Sequence, residues 1–495
     1  MAVRKPFFLF YPISRLGVRM MCRHRLRLRV PSFSGLACLL TLLIYESAGA
    51  DTRDVTDQLI VRFYSASADG QAQASGLTFQ IGKKLVFIRR TAGGGYVYKL
   101  PGREALARVR EYARALKGLA AVREAEPDVL MQRVFNEPDD TFYRHYQWHY
   151  QGAPGGINAL GAWRAFARPP VEPVRVAVID TGVRSHVDLQ ANLSAGVDLI
   201  GDARIANDGD GRDMDASDPG DWVEQGECYQ GSSPHDSSWH GTHVAGILVA
   251  ATNNGEGVAG LTYNMAKAVP VRVLGKCGGY LSDTADGIRW AAGEAVNGVA
   301  SIEAPVQVIN LSLGGSGACG TELQRAIDSA VATGITVVVA SGNSSADASH
   351  YQPASCDGVV TVAATDAQGE RTGYSSYGAV VELAAPGGGG GGGIASTLNS
   401  GARGPGKDNY AVYQGSSMAT PHVAATVALM YLKDASLAPE QVTTLLMETA
   451  RPFPGPCDGC GRGILDAGAA VAAAAGGGNH HLATDPGSVL SGPNR

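Results

Sequence analysis

Four short runs of branched aliphatic residues constrain the fold of this chain more than any other feature. They are Val174–Ile179, Val306–Leu313, Thr336–Ala340 and Val359–Ala364. Each is mostly apolar, without the strict alternation of a strand wetted on one side. Parallel strands covered by helices on both faces read this way. Amphipathic or apolar helical stretches lie between the runs, which predicts an α/β domain on a doubly wound, mostly parallel sheet. The 495-residue chain is 45% hydrophobic, enough to bury a large core, and its 65 glycines imply many tight turns and close backbone approaches.

Charge divides the chain. The formal net charge is −5, yet residues 1–133 hold 22 Lys and Arg against 10 Asp and Glu, and residues 134–495 hold 19 against 36. An acidic body argues against nonspecific nucleic-acid binding, which relies on clustered Lys and Arg. The first 50 residues run from a basic stretch through apolar Leu36–Ile44 to Ala48-Gly-Ala50. Basic, then apolar, then small residues form the pattern of a secretory signal peptide, so the chain is expected to be secreted. The apolar stretch is too short for a membrane span, which takes about 20 residues; an uncleaved anchor is the other reading. Residues 51–134 predict a small α+β unit. It has a strand at Gln58–Tyr64, a helix at Glu104–Lys117 with Leu106, Val109, Ala113 and Leu116 on one face, and an extended return over Ala121–Leu130. The large domain is expected over 135–472, and the Ala- and Gly-rich residues 473–495 read as a flexible tail. Six cysteines follow the signal: Cys228, Cys277, Cys319, Cys356, Cys457 and Cys460. An even count in a secreted chain favours disulfides. Cys457-x-x-Cys460 reads alternatively as a redox pair, but a lone CxxC lacks the second ligand pair of a structural zinc site.

Three segments carry chemistry. Val176-Ala-Val-Ile-Asp180-Thr-Gly182 is a buried strand ending in a carboxylate, and the C-terminal edge of such a sheet is where α/β proteins build sites. Alone, an Asp-Thr-Gly triplet is as often a turn or a cap. His240-Gly-Thr-His243-Val-Ala-Gly246 sets a histidine before an apolar helix. A zinc protease would carry H-E-x-x-H, and the glutamate is missing. Gly415-Ser-Ser417-Met-Ala-Thr-Pro421-His422 sets a serine at the start of an apolar helix reaching about Tyr431, with Pro421 expected in the first turn. The positive end of the helix dipole would favour an oxyanion beside that serine. The plain alternative is an N-cap serine.

Together, Asp180, His240 and Ser417, in that order and each framed by small residues, resemble the subtilisin family of serine peptidases. The resemblance rests on Ile179–Gly182, His240–Gly246 and Gly415–His422, with Ser416 where the family usually has Thr, and covers roughly residues 145–470. It implies a triad. Ser417 is the nucleophile, and its hydroxyl needs a base because it hardly ionises at neutral pH. His240 is that base and later the acid, and Asp180 holds the imidazole. It further implies Asn343 as an oxyanion donor and Ser312, Leu313, Gly314 and Gly315 as a strand on which a substrate peptide adds. His243 and His422 are then structural. No acid stands near Ser344 or Tyr351 to floor a basic pocket, so broad cleavage after apolar or aromatic residues is expected. The 51–134 unit corresponds to the family's ferredoxin-like inhibitory propeptide, removed by self-cleavage. The substrates are proteins and peptides, and the enzyme is expected to be a monomer. Resembling secreted members imply the disulfides Cys228–Cys277, Cys319–Cys356 and Cys457–Cys460.

Residues 202–236 hold ten acids against Arg204 and Arg212. Among them Asp208, Asp210, Asp213, Asp215, Asp218 and Asp221 suit either a solvated loop or Ca²⁺, which takes six to eight oxygens. Secreted subtilisins commonly bind structural calcium, and the resemblance points to Asp188 with Asn254 as a second candidate site. No cofactor is expected in catalysis. Gly387–Gly393 is a run of seven glycines where the family has a short loop, and it is expected to be mobile. The main rival is a catalytically silenced subtilisin fold used for binding, which would lack a triad member or the oxyanion Asn; none is missing. An esterase-type hydrolase would carry G-x-S-x-G and the order Ser, Asp, His, and neither is present.

Overall fold

The computed structural model describes residues 55–65, 69–129, 137–152, 154–166, 170–390, 392–455 and 457–475. The signal-peptide reading and residues beyond 475 lie outside the described residues. The chain divides into two compact units between residues 133 and 134.

The smaller unit contains β1 (Val55–Phe63), α1 (Gly70–Ile81), β2 (Val86–Arg90), β3 (Tyr96–Ala105), α2 (Leu106–Lys117) and β4 (Val122–Pro127). Its strands form one antiparallel sheet in the order β2-β3-β1-β4. Val109, Ala113 and Leu116 of α2 pack with Leu59 and Val61 of β1, as the helical spacing requires. The helix starts at Leu106 instead of Glu104 because β3 stays paired to β1 as far as Ala105. Periodicity does not reveal α1, which is rich in Gly, Gln and Ala. Its boundaries come from caps: the Asp69 carboxylate accepts from the Gln71 and Ala72 N–H groups, and Gly82 ends it at φ 66°.

The larger unit contains β5 (Val174–Asp180), β6 (Val197–Asp198), β7 (Ala266–Arg272), β8 (Val308–Leu311), β9 (Gly315–Ser316), β10 (Thr336–Ala340), β11 (Tyr351–Gln352), β12 (Val359–Thr365), β13 (Leu383–Pro386), β14 (Ile394–Asn399) and β15 (Asp408–Tyr413). Its helices are α3 (Tyr143–Tyr146), α4 (Ala159–Arg164), α5 (Ala203–Ala206), α6 (His240–Val249), α7 (Leu281–Ala291), α8 (Thr321–Ala332), α9 (Ser416–Lys433), α10 (Pro439–Thr449) and α11 (Ala467–Ala474). Seven strands form a parallel sheet in the order β13-β12-β10-β8-β5-β7-β6. Alternate residues of β5 enter different cores. Val176 and Val178 pack with α6 and α9, while Ala177 and Ile179 pack with α7 and α8. Burial on both faces is the physical reason the strands read as unbroken apolar runs. In β7 that run is broken by Lys267 and Pro270, so it is not evident from sequence. α11, capped by the Asp466 carboxylate on the Ala469 N–H, takes in residues 473 and 474 of the segment read as a tail.

Candidate active site

Strand order reverses beside β5, and a crevice opens outside the C-terminal ends of the strands at such a switch point. Asp180, the last residue of β5, is fully buried there. Its two carboxylate oxygens lie 2.8 and 3.0 Å from Nδ1 of His240. The Thr181 N–H donates to Asp180 Oδ1 at 2.8 Å and fixes the carboxylate plane. His240 opens α6, and glycine at the next position permits the approach: a Cβ on Gly241 would stand 2.2 Å from the Gly182 carbonyl oxygen. Burial presses the His240 pKa down, but the charge and hydrogen bond of Asp180 outweigh it, with Asp221 and Asp218 adding, so the net shift is upward. A raised pKa suits a base that must hold a proton during bond cleavage.

Ser417 is the second residue of α9, with its side chain partly exposed between buried Ser416 and Met418. Pro421 is the sixth residue of that helix, not a first-turn residue as the sequence suggests. Having no N–H, it cannot donate to the Ser417 carbonyl. The Ser312 hydroxyl donates instead, at 2.8 Å, and itself accepts from Asn310 Nδ2 at 3.0 Å. Ser312 is 2% exposed, and its hydroxyl supports the Ser417 peptide. Ser312, Leu313, Gly314 and Gly315 all line the cleft.

Asn343 follows β10. Its Oδ1 accepts from the Ser416 N–H at 2.8 Å and from the Ser416 hydroxyl at 3.0 Å. That leaves Nδ2 as a donor. Nδ2, the Ser417 amide nitrogen and Asn343 Oδ1 lie 3.3, 3.7 and 3.8 Å from the point a Cβ on Gly415 would occupy, so glycine leaves the space beside both nitrogens open. Among the described residues no hydrogen bond joins His240 to the Ser417 hydroxyl; in free hydrolases that bond often tightens only with substrate.

The cleft has a volume of about 1010 Å³ and is lined by His240, Asp221, Tyr229, Leu281, Leu313 and Gly315 among others. Among the described residues three disulfides are present: Cys228–Cys277, Cys319–Cys356 and Cys457–Cys460, with Cα separations of 5.4, 5.0 and 5.6 Å. The first lies in the cleft wall. Near the second, Cys319 N–H donates to Ser355 Oγ, and β9 pairs with β11.

The acidic run is engaged residue by residue. Asp208 pairs with buried Arg272, which also holds Asp198. Asp208, Asp213 and Asp215 accept from the backbone N–H groups of Asp210, Asp215 and Ser217. Asp218 accepts from Thr181, and Asp221 from Ser238. Five of the six side chains are thus turned to separate protein donors, and Asp210 takes part through its backbone N–H alone, so the run does not form one oxygen cage. Among the described residues no group of three or more His, Cys, Asp or Glu is arranged to hold a metal ion. Asp188 and Asn254 do meet, with Nδ2 2.7 Å from Oδ1, and the Val258 N–H donates to Asp188 Oδ2. Burial pushes the Asp188 carboxyl up to about 6. Buried Asp140 stands at the same loop, its Oδ2 accepting from the Asn253 N–H and its Oδ1 without a partner.

The described glycines of the run, expected from sequence to be mobile, make several hydrogen bonds. Gly389 and Gly392 exchange backbone hydrogen bonds of 2.9 and 3.0 Å. The Tyr374 hydroxyl lies 2.9 and 2.6 Å from the Gly387 and Gly388 carbonyls, and the Trp148 indole N–H donates to the Gly393 carbonyl. The Gly387 carbonyl also accepts from the Gly415 N–H at 2.9 Å, so the run braces the turn before Ser417. A Cβ on Gly387 would stand 2.4 Å from that of Ala364. Sequence reasoning missed these braces, since a glycine run carries no signal of what its carbonyls accept. Pro421 was the available signal for a free Ser417 carbonyl.

The family model of the subtilase family matches residues 172–479. The chain is 47% identical over 387 residues to an extracellular protease of Xanthomonas campestris pv. campestris, covering 78% of this chain but 65% of that protein, less than two thirds. It is 39% identical over 469 residues to an extracellular basic protease of Dichelobacter nodosus, covering 89% of this chain and 75% of the relative. A solved protease of Pseudoalteromonas arctica PAMC 21717 is similar, with a TM-score of 0.66 and 48% identity over 68% of this chain and all of that one. Among the described residues no helix is long and apolar enough to cross a membrane. The parallel sheet, the order of the three motifs and the family match converge: the chain belongs to the subtilase family and is a subtilisin-like serine endopeptidase.

Proposed function

We propose that the chain is a secreted endopeptidase that cleaves proteins and peptides through Asp180, His240 and Ser417, with a broad preference for apolar or aromatic residues before the cut. The observation that carries this reading is the buried Asp180–His240 pair at 2.8 Å beside the cleft. His240 takes the Ser417 proton as the oxygen attacks the scissile carbonyl, and later gives it to the leaving amine. Asp180 keeps a proton on Nδ1 throughout. Asn343 Nδ2 and the Ser417 N–H donate to the oxyanion, a reading supported by their nearness to the open space beside Gly415. The glycines at 314 and 315 are exposed and offer backbone to an added substrate strand.

Residues 51–134 act as an intramolecular inhibitor that the enzyme removes from itself, and the mature enzyme is a monomer. The relatives' names describe extracellular proteases, which supports secretion. A structural calcium is assigned to the Asp188–Asn254 loop, where two buried carboxylates, Asp188 and Asp140, stand close to one another and a cation would neutralise them. The test is expression of wild type and Ser417→Ala with intact mass and casein hydrolysis. A processed, active wild type beside an unprocessed, inactive variant is expected. Processing of the variant, or casein hydrolysis by it, defeats the assignment of Ser417.

A further inference from the structure

We infer that Asp218 and Asp221 are positioning residues for the triad, an inference that rests on the reading of Asp180 and His240 proposed above. They belong to the acidic run, and each reaches one of the two backbone segments that carry the pair. Asp218 is 1% exposed. Its Oδ2 accepts from the Thr181 hydroxyl at 2.7 Å, and its Oδ1 accepts from the Gly220 N–H at 2.8 Å. With its proton directed to Asp218, the Thr181 hydroxyl oxygen is left to accept from the Gly241 N–H at 3.0 Å. Thr181 follows Asp180 and Gly241 follows His240, so one buried carboxylate fixes the separation of both residues.

Asp221 holds the other approach. Its two oxygens accept from the Ser238 N–H at 2.6 Å and the Ser238 hydroxyl at 2.7 Å. The Ser238 oxygen then accepts from the His240 N–H at 3.3 Å, and the Ser238 carbonyl accepts from the Tyr413 hydroxyl at 2.8 Å. Between Ser238 and His240 lies Trp239 at φ 49°, a left-handed conformation that is costly for a bulky residue. Such a conformation persists only where the surroundings over-determine it. Asp221 fixes one side, and the Trp239 indole, donating to the Gly401 carbonyl at 2.7 Å, fixes the other. Carboxylates suit these places because each offers two acceptor oxygens and charge-assisted bonds. The run of acids thus frames the base and its orienting partner.

The test compares Asp221→Ala, Asp221→Asn and Asp218→Asn with wild type, and with Asp236→Asn, which removes the charge of an exposed acid four residues before His240 in the chain. Each processed enzyme is assayed for kcat and KM on a peptide and for the rate of Ser417 modification by a small sulfonyl fluoride. A displacement of about 1 Å can cost 10²-fold, so Asp221→Ala and Asp218→Asn should lower kcat and the modification rate together by roughly 10- to 100-fold, with KM held within about twofold. Asp221→Asn keeps one acceptor and should fall less than Asp221→Ala. Asp236→Asn should match wild type. If Asp218→Asn does not fold, partly exposed Asp221 still decides the matter. Unchanged kcat and modification rate in the Asp221 variants would overturn the inference. So would a raised KM with kcat held, which would make Asp221 a substrate-binding residue. An inactive wild type would instead defeat the triad reading on which the inference stands.

Discussion

Two buried imidazoles, His422 on α9 and His149 packed against it, should make the fold sensitive to acid. His422 and His149 are fully buried, with Nε2 of the first 2.7 Å from Nδ1 of the second. His422 Nδ1 lies 2.8 Å from the Met418 carbonyl and must donate to it, so its Nε2 accepts from His149. A proton on His422 Nε2 would face an N–H. Burial lowers the His422 pKa to about 4, against about 6.5 in the unfolded chain. The folded value is the lower one, so this group's stability is complete above pH 6.5 and is lost as pH falls toward 4. At about 1.4 kcal/mol per pH unit the loss reaches about 3 kcal/mol, a large part of a typical 5–15 kcal/mol. Buried acids work the other way. Burial raises Asp198 and Asp218 to about 7, so they favour the fold as pH falls below that value. The His422 contribution therefore has to be read as a difference. In a Ser417→Ala background, which prevents autolysis, urea unfolding of His422→Gln should show a deficit of about 1–3 kcal/mol at pH 8, where His149 loses its acceptor. Below pH 6.5 that deficit should shrink by about 1.4 kcal/mol per pH unit. A deficit that stays constant from pH 8 to 4.5 would refute the reasoning.

Three further outcomes are expected. Asn343→Ala should lower kcat by roughly 10²–10³, the loss seen when subtilisin loses an oxyanion donor, with KM nearly unchanged in steady-state assays. Tyr374→Phe removes the hydroxyl shared by the Gly387 and Gly388 carbonyls and should cost about 1 kcal/mol in urea unfolding. Calcium titration of the Ser417→Ala protein should raise its melting temperature. Asp188→Asn should abolish that rise, and Asp210→Asn, an exposed acid of the run, should not.

The central strands were legible because burial on both faces leaves an apolar run in the sequence; β10 keeps its expected bounds and β12 gains only Thr365. The Asp180–His240 pairing was legible only through resemblance, since 60 residues separate the two in sequence. Less was readable where one residue serves another through a hydrogen bond. The bond from the Ser312 hydroxyl to the Ser417 carbonyl joins residues 105 positions apart and leaves no mark on either segment. The Asp run looked like a cation loop because composition counts oxygens without showing which donors claim them. Glycine runs are equally silent, since their anchors, Tyr374, Trp148 and Gly415, all lie outside the run.

Pro421 has a mechanical consequence. By withholding an N–H, it removes one rung from α9 and hands the Ser417 carbonyl to Ser312, just past the end of β8. The Ser417 peptide is therefore tethered to the sheet as well as to its own helix. Strands β5 and β8 pair in that sheet, so one frame carries Asp180 at the end of β5 and, through Ser312, the Ser417 carbonyl.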